Sequence, residues 1–132
     1  MEVEAIGPKH TNERHESDIY SVSDSKEGLT ILIDTKDESG NRRDLRVYFE
    51  YARGFRYLDE GDLIHYWESK AFSTPHHVFK ILSGGWSNGE AVEPGILSVS
   101  KAVEITEWFV ATTNNCINVL TESQPLIEFI DA

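Results

Sequence analysis

Cysteine occurs once in 132 residues, at Cys116. A single thiol cannot close an intrachain disulfide, nor supply the cysteine pairs of a structural zinc site. Long hydrophobic runs are missing as well, so no segment approaches the length that crosses a bilayer. The opening residues MEVEAIGPKH carry acids where a secretory leader needs basic residues, and no apolar stretch follows them. No Asn-X-Ser/Thr acceptor is found. Together these gaps point to a reducing cytoplasm. Positive charge is the other scarcity: 12 Lys and Arg stand against 23 Asp and Glu, a net charge of −11. Such a surface favours cationic partners and repels nucleic acid and anionic membrane.

Aromatics are plentiful, with three Trp, five Tyr and six Phe in a chain that is 39% hydrophobic. At 15.0 kDa this is enough to bury one core, and too much for a disordered tail. Residues 1–17 are polar and aperiodic and predict a loosely ordered N-terminal arm, leaving 18–132 as a single α+β domain. Ile19, Tyr20 and Val22 suggest a short strand. Leu29, Ile31 and Ile33 share one strand face, and Asp37 to Asn41 reads as a turn. Leu45, Val47, Phe49 and Tyr51 alternate with polar neighbours, which completes a hairpin.

From Asp62 to Ala71 the period changes. Leu63, Tyr66, Trp67 and Ala71 fall on one helical face, with Asp62 as the N-cap and Thr74-Pro75 as the stop. Residues 76–82 read as a strand apolar on both faces. Ile96 to Val99, Ile105 to Thr112, Cys116 to Thr121 and Leu126 to Ile130 give further strands, with a tight turn at Asn114-Asn115. The expectation is a mostly antiparallel sheet of six or seven strands with one main helix packed on one face.

Catalytic and metal motifs are sparse. His76 and His77 are adjacent, so on a strand they point to opposite faces and cannot grip one ion. His10 and His15 fall in the predicted arm, and His65 has no second ligand at helical spacing. No metal or cofactor is expected. Asp59, Glu60 and Asp62 precede the helix, where acids complement its dipole, although Asp59, Asp62 and His65 could also form a small acid–base site. Glu104 and Glu107 read as a solvated strand edge, and Cys116 as a buried, inert thiol. Ser83-Gly84-Gly85 lacks the lysine and helix of a phosphate loop. The chain is therefore not expected to be an enzyme.

Charge is unevenly distributed. Residues 42–56 hold Arg42, Arg43, Arg46, Arg53 and Arg56 against two acids, whereas residues 82–132 hold seven acids against Lys101. Pairing of those arginines with nearby acids is more economical than nucleic-acid binding inside so acidic a chain. Trp86 lies in a loop followed by Glu90 and Glu93. An aromatic among acids has the composition of a hot spot for a basic protein surface. The partner-binding candidates are Asp59, Glu60, Asp62, Trp86, Glu90 and Glu93.

The single acidic domain, the Glu107-Trp108-Phe109-Val110 strand with its Cys116 to Leu120 return, and the segment Phe55-Arg56-Tyr57-Leu58-Asp59-Glu60-Gly61-Asp62-Leu63 cover about half the chain. In these features the chain resembles the immunity proteins of bacterial polymorphic-toxin and contact-dependent-inhibition systems. The resemblance implies a cytoplasmic inhibitor that neutralises a cognate, often cationic, toxin such as a nuclease by covering its active site. It assigns no individual residues. A small enzyme and a regulatory or scaffold subunit are the competing classes.

Overall fold

The computed structural model describes residues 1–12 and 16–131. Among these residues there are nine strands, arranged in two antiparallel sheets. The first sheet contains β1 (Glu2–Lys9), β6 (His76–Ser83), β7 (Thr106–Ala111), β8 (Asn115–Thr121) and β5 (Gly54–Asp59), in that spatial order. The second contains β2 (Asp18–Ser25), β3 (Gly28–Lys36), β4 (Arg42–Phe49) and β9 (Leu126–Ile130). The mostly antiparallel expectation holds. One sheet of six or seven strands under one main helix does not.

Three differences from the sequence reading have physical causes. Residues 2–9 form β1 on the edge of the first sheet rather than a loose arm. The sequence there alternates only weakly, because an edge strand hides half a face and its polar residues look like a tail. Glu13, Arg14 and His15 of the predicted arm lie outside the described residues, whereas His10 is buried and its ring stacks on His77 at 4.1 Å. The predicted helix is shorter and two-part: a 3-10 turn, Glu60–Leu63, leads into α1 (Ile64–Glu68). Its N-cap is Asp59, which accepts a hydrogen bond from Gly61 N at 2.8 Å, and not Asp62. The third difference lies at 96–99, where a turn leads into α2 (Ser98–Ala102) instead of a strand. No helix among the described residues is long and apolar enough to cross a membrane.

Two cores sandwich the first sheet. Leu29, Ile31, Ile33, Leu45, Val47 and Phe49 of the second sheet meet Val78, Trp108, Val110, Ile117 and Val119 of the first. On the opposite face Phe79, Phe109 and Cys116 are covered by Leu63, Tyr66 and Phe72 from the helical segment. Both faces of β7 and β8 are therefore buried, which explains their near-continuous apolar sequence. Cys116 is buried, and its thiol donates to Thr112 O at 3.4 Å. At one end of the sandwich a polar cluster ties the sheets together: His77 meets Thr35 Oγ1 at 2.9 Å, and Thr35 continues to Asn12 and Ser17.

Along one flank the sheets close on each other, where a Cβ on Gly7 of β1 would sit 3.0 Å from Ile127 of β9. The positive φ of Gly7, +86°, suits glycine too. On the opposite flank lie β2 and β5, each with one free edge.

Candidate functional site

The outer face of the first sheet carries a connected polar network, and Glu107 anchors it. On β7, Glu107, Phe109 and Ala111 share the face that looks toward α1. A carboxylate in that row is covered, with Glu107 only 2% exposed. Its oxygens accept from Trp86 N, Ser87 N and Ser87 Oγ, each at 2.7 Å, and from Asn118 Nδ2 at 3.0 Å. Four donors satisfy a buried charge that would otherwise be expensive. Glu107 is therefore no solvated edge, contrary to the sequence reading. The signal for it was present: an acid at a position where both strand faces are apolar is a buried acid.

The donors belong to an unusual turn. Trp86–Glu90 forms a π-type turn in which Glu90 N donates to Gly85 O at 2.8 Å and Ala91 N to Trp86 O at 2.9 Å. Asn88 Oδ1 accepts from Gly85 N at 2.7 Å and closes its start. Gly85 has to be glycine because a Cβ there would collide with the Glu107 carboxylate. The clamp fixes Trp86 and Glu90 on a rigid base.

From this turn Glu90 reaches back over the sheet. Its carboxylate accepts from Arg56 Nη2 at 2.6 Å and from the Tyr66 hydroxyl at 2.7 Å, and lies 3.7 Å from His65 Nε2. The Arg56 guanidinium also donates to Asn118 Oδ1 at 3.0 Å and sits 5.0 Å from the centre of the Trp86 ring. Asn118 Nδ2 donates to the Tyr66 oxygen at 3.0 Å, joining this cluster to Glu107. Burial and the hydrogen bond to Glu90 push the Tyr66 hydroxyl above its ordinary range, so it remains a donor.

For Glu90, burial opposes ionisation, but the hydrogen bonds from Arg56 and Tyr66 and the Arg56 charge outweigh it and lower the pKa. A depressed carboxylate pKa stabilises the fold above the unfolded-state value, and that contribution disappears as pH falls through the folded-state value. We expect acid unfolding of the wild type to include this loss at pH below the ordinary carboxylate range. In Glu90→Gln the corresponding part of the pH–stability curve should flatten. Superimposable curves from acid titration followed by circular dichroism would contradict the assignment.

The candidates named from sequence divide into two groups. Trp86 and Glu90 are joined through Arg56, Tyr66 and His65, and Glu90 is committed to internal contacts. Asp59, Glu60 and Asp62 sit at the junction of β5 and α1, where Asp59 serves as the cap. The carboxylate that meets His65 is Glu90, while Asp59 is engaged with Gly61. Glu93 is exposed beyond the turn, next to Val92, which is 74% exposed. Arg56, Tyr66, Asn118 and Glu107 were missed, because their roles depend on cross-strand neighbours such as Arg56 opposite Asn118.

The arginines are internally matched. Arg42 pairs with Asp34 at 3.1 Å, Arg46 with Glu128 at 3.1 Å, Arg53 with Glu122 at 2.7 Å, and Arg43 lies 3.7 Å from Asp131. With the Arg56–Glu90 pair, all five cations of 42–56 face acids. By contrast Asp59, Glu60, Asp62 and Glu68 have no ion pair among the described residues, and they flank Ile64, which is 58% exposed. Lys70 is the one cation between 59 and 70. Elsewhere among the described residues further acids without an ion pair, such as Glu2, Glu4, Asp18, Asp24 and Glu93, occur on both sheets and in loops, so the negative charge is dispersed and this ledge is one uncompensated group among several. Among the described residues no group of three or more His, Cys, Asp or Glu side chains is placed to hold a metal ion. Compared with protein-family models, with curated proteins and with solved structures, the chain matches none.

Proposed function

We propose that this chain is a protein-binding inhibitor of the immunity-protein kind, directed at a basic partner such as a nuclease toxin domain. One observation carries the reading: among the described residues Asp59, Glu60, Asp62 and Glu68 stand without cation partners around exposed Ile64, while every arginine of 42–56 is consumed internally. An apolar centre with an acidic rim suits the cationic cleft of an enzyme that must attract phosphate. The charges accelerate encounter and select the partner, and the apolar contact slows dissociation. Trp86 at the start of the clamped turn and Glu93 beyond it extend this surface. Glu90 acts as its internal support. The clamp and the Arg56–Glu90–Tyr66 contacts preorganise the face, which limits the ordering cost of association. A single buried thiol and an acidic surface suit a cytoplasmic inhibitor.

The test is genetic. The reading frame immediately upstream of this gene is expressed with and without the chain. Growth arrest that the chain relieves is the expected result. Arrest that persists, or no arrest at all, overturns the reading.

A further inference from the structure

The open flank of the sandwich has the features of a strand-docking site. Between the free edges of β2 and β5 runs a groove of about 290 Å³, lined by Ile19, Tyr20, Ser21, Val22 and Tyr57. Tyr20 and Tyr57 are 54% and 47% exposed; Tyr57 faces the second sheet, whereas Tyr20 reaches over the outer face of its own sheet to Asp44.

The backbone of β5 is available along this groove. Glu60 N donates to Asn114 O at 3.3 Å, continuing the register that sets Asp59 opposite Asn115 and Tyr57 opposite Ile117. In an antiparallel ladder alternate residues exchange both bonds with the partner strand. Arg56 and Leu58 therefore face β8, and Tyr57 and Asp59 turn their N–H and C=O groups to the free edge. On the other side of the groove, Ile19 of β2 has both backbone groups held by the Asn115 side chain, each at 3.3 Å. That amide does for Ile19 what a neighbouring strand would do, and it closes one end. Asn115 Nδ2 also donates to the Tyr57 hydroxyl and fixes the groove wall.

Charge selects the occupant. Asp18 and Asp24 on β2 and Asp59 on β5 are exposed around the cleft, and Asp44 accepts from the Tyr20 hydroxyl. The one cation on these two strands, Arg56, points to the other face of the sheet and is bound by Glu90. A second copy of this chain would bring net −11 against the same acids. We infer that the β2–β5 cleft receives an extended, lysine- or arginine-bearing segment of a partner protein, which pairs with the free edge of β5 and lays alternate apolar side chains against Val22 and Tyr57. The six residues of β5 offer about 20 Å of edge. This shares with the proposed function only the basic partner. It is tested with a defined peptide, so its failure leaves the growth test untouched.

The probe is a capped peptide of alternating lysine and valine, long enough to span β5, added to the full chain and followed by amide NMR and hydrogen exchange. Expected are shifts confined to β2 and β5, slowed exchange at the Tyr57 amide, and no response to the glutamate–valine counterpart. Tyr57→Pro removes the outward N–H without touching a bond to β8. It should weaken binding about tenfold more than Tyr57→Ala, which keeps that N–H. Ser21→Lys, on the opposite wall and clear of the β5 ladder, should weaken it as well should the proline variant unfold. No binding, shifts elsewhere, equal response to both peptides, or Tyr57 protection that rises with protein concentration in the absence of peptide would each overturn the inference.

Discussion

Glu107→Ala is expected to cost about 3–5 kcal/mol of folding stability, a large share of the roughly 5–15 kcal/mol typical of a domain. The substitution leaves the backbone N–H groups of Trp86 and Ser87 and one N–H of the Asn118 amide without their acceptor, where Glu107 is only 2% exposed and Asn118 fully buried. Each unsatisfied buried donor costs about 1–3 kcal/mol. Relief of one buried charge offsets part of the sum. Glu107→Gln keeps the volume but turns an NH2 toward donors, so an intermediate loss of about 2 kcal/mol is expected. Ser87→Ala removes one hydroxyl and should cost about 1 kcal/mol. Denaturant midpoints give the order. The same variants should release Trp86 from Arg56, visible as a change in near-ultraviolet dichroism. A midpoint for Glu107→Ala close to wild type would mean that the carboxylate does not hold the turn.

The second large effect concerns binding. Asp62→Lys combined with Glu68→Lys turns two attractions toward a basic partner into two repulsions. At a partly screened rim each reversal is worth about 1–1.5 kcal/mol, so association should weaken about a hundredfold. Among the described residues neither makes an ion pair or a side-chain hydrogen bond, so stability should stay within about 0.5 kcal/mol. That separation distinguishes this ledge from Glu90, whose reversal would break the contacts with Arg56 and Tyr66.

Much of this was legible from local pattern. The Leu29–Ile33 and Leu45–Tyr51 alternation gave β3 and β4, and the observed register pairs Ile31 with Val47 and Ile33 with Leu45. The apolar runs at 105–112 and 116–121 gave β7 and β8 around the Asn114-Asn115 turn. The buried thiol and the internal pairing of the arginines were legible too, the latter because so many acids surround them. What escaped depends on partners far away in sequence. Strand β5 is a short edge with an irregular pattern, and β1 owes its form to pairing with β6. The helix lost its last turn because Lys70 takes a positive φ, 61°. Glu107 was misread because spacing from Glu104 says nothing about the turn that descends on it from residues 86–90. Within the acids at 59–62 the capping role passed from Asp62 to Asp59.

Everything functional reduces to whether unbalanced carboxylates at the β5–α1 junction grip a cationic protein. The deciding measurement is the equilibrium association of the chain with the product of the upstream gene across a salt series, for wild type and for Asp62→Lys/Glu68→Lys. A wild-type constant that falls steeply as salt rises, together with a weaker and flatter response in the variant, is predicted. Salt-insensitive binding, or identical curves for the two proteins, would contradict it.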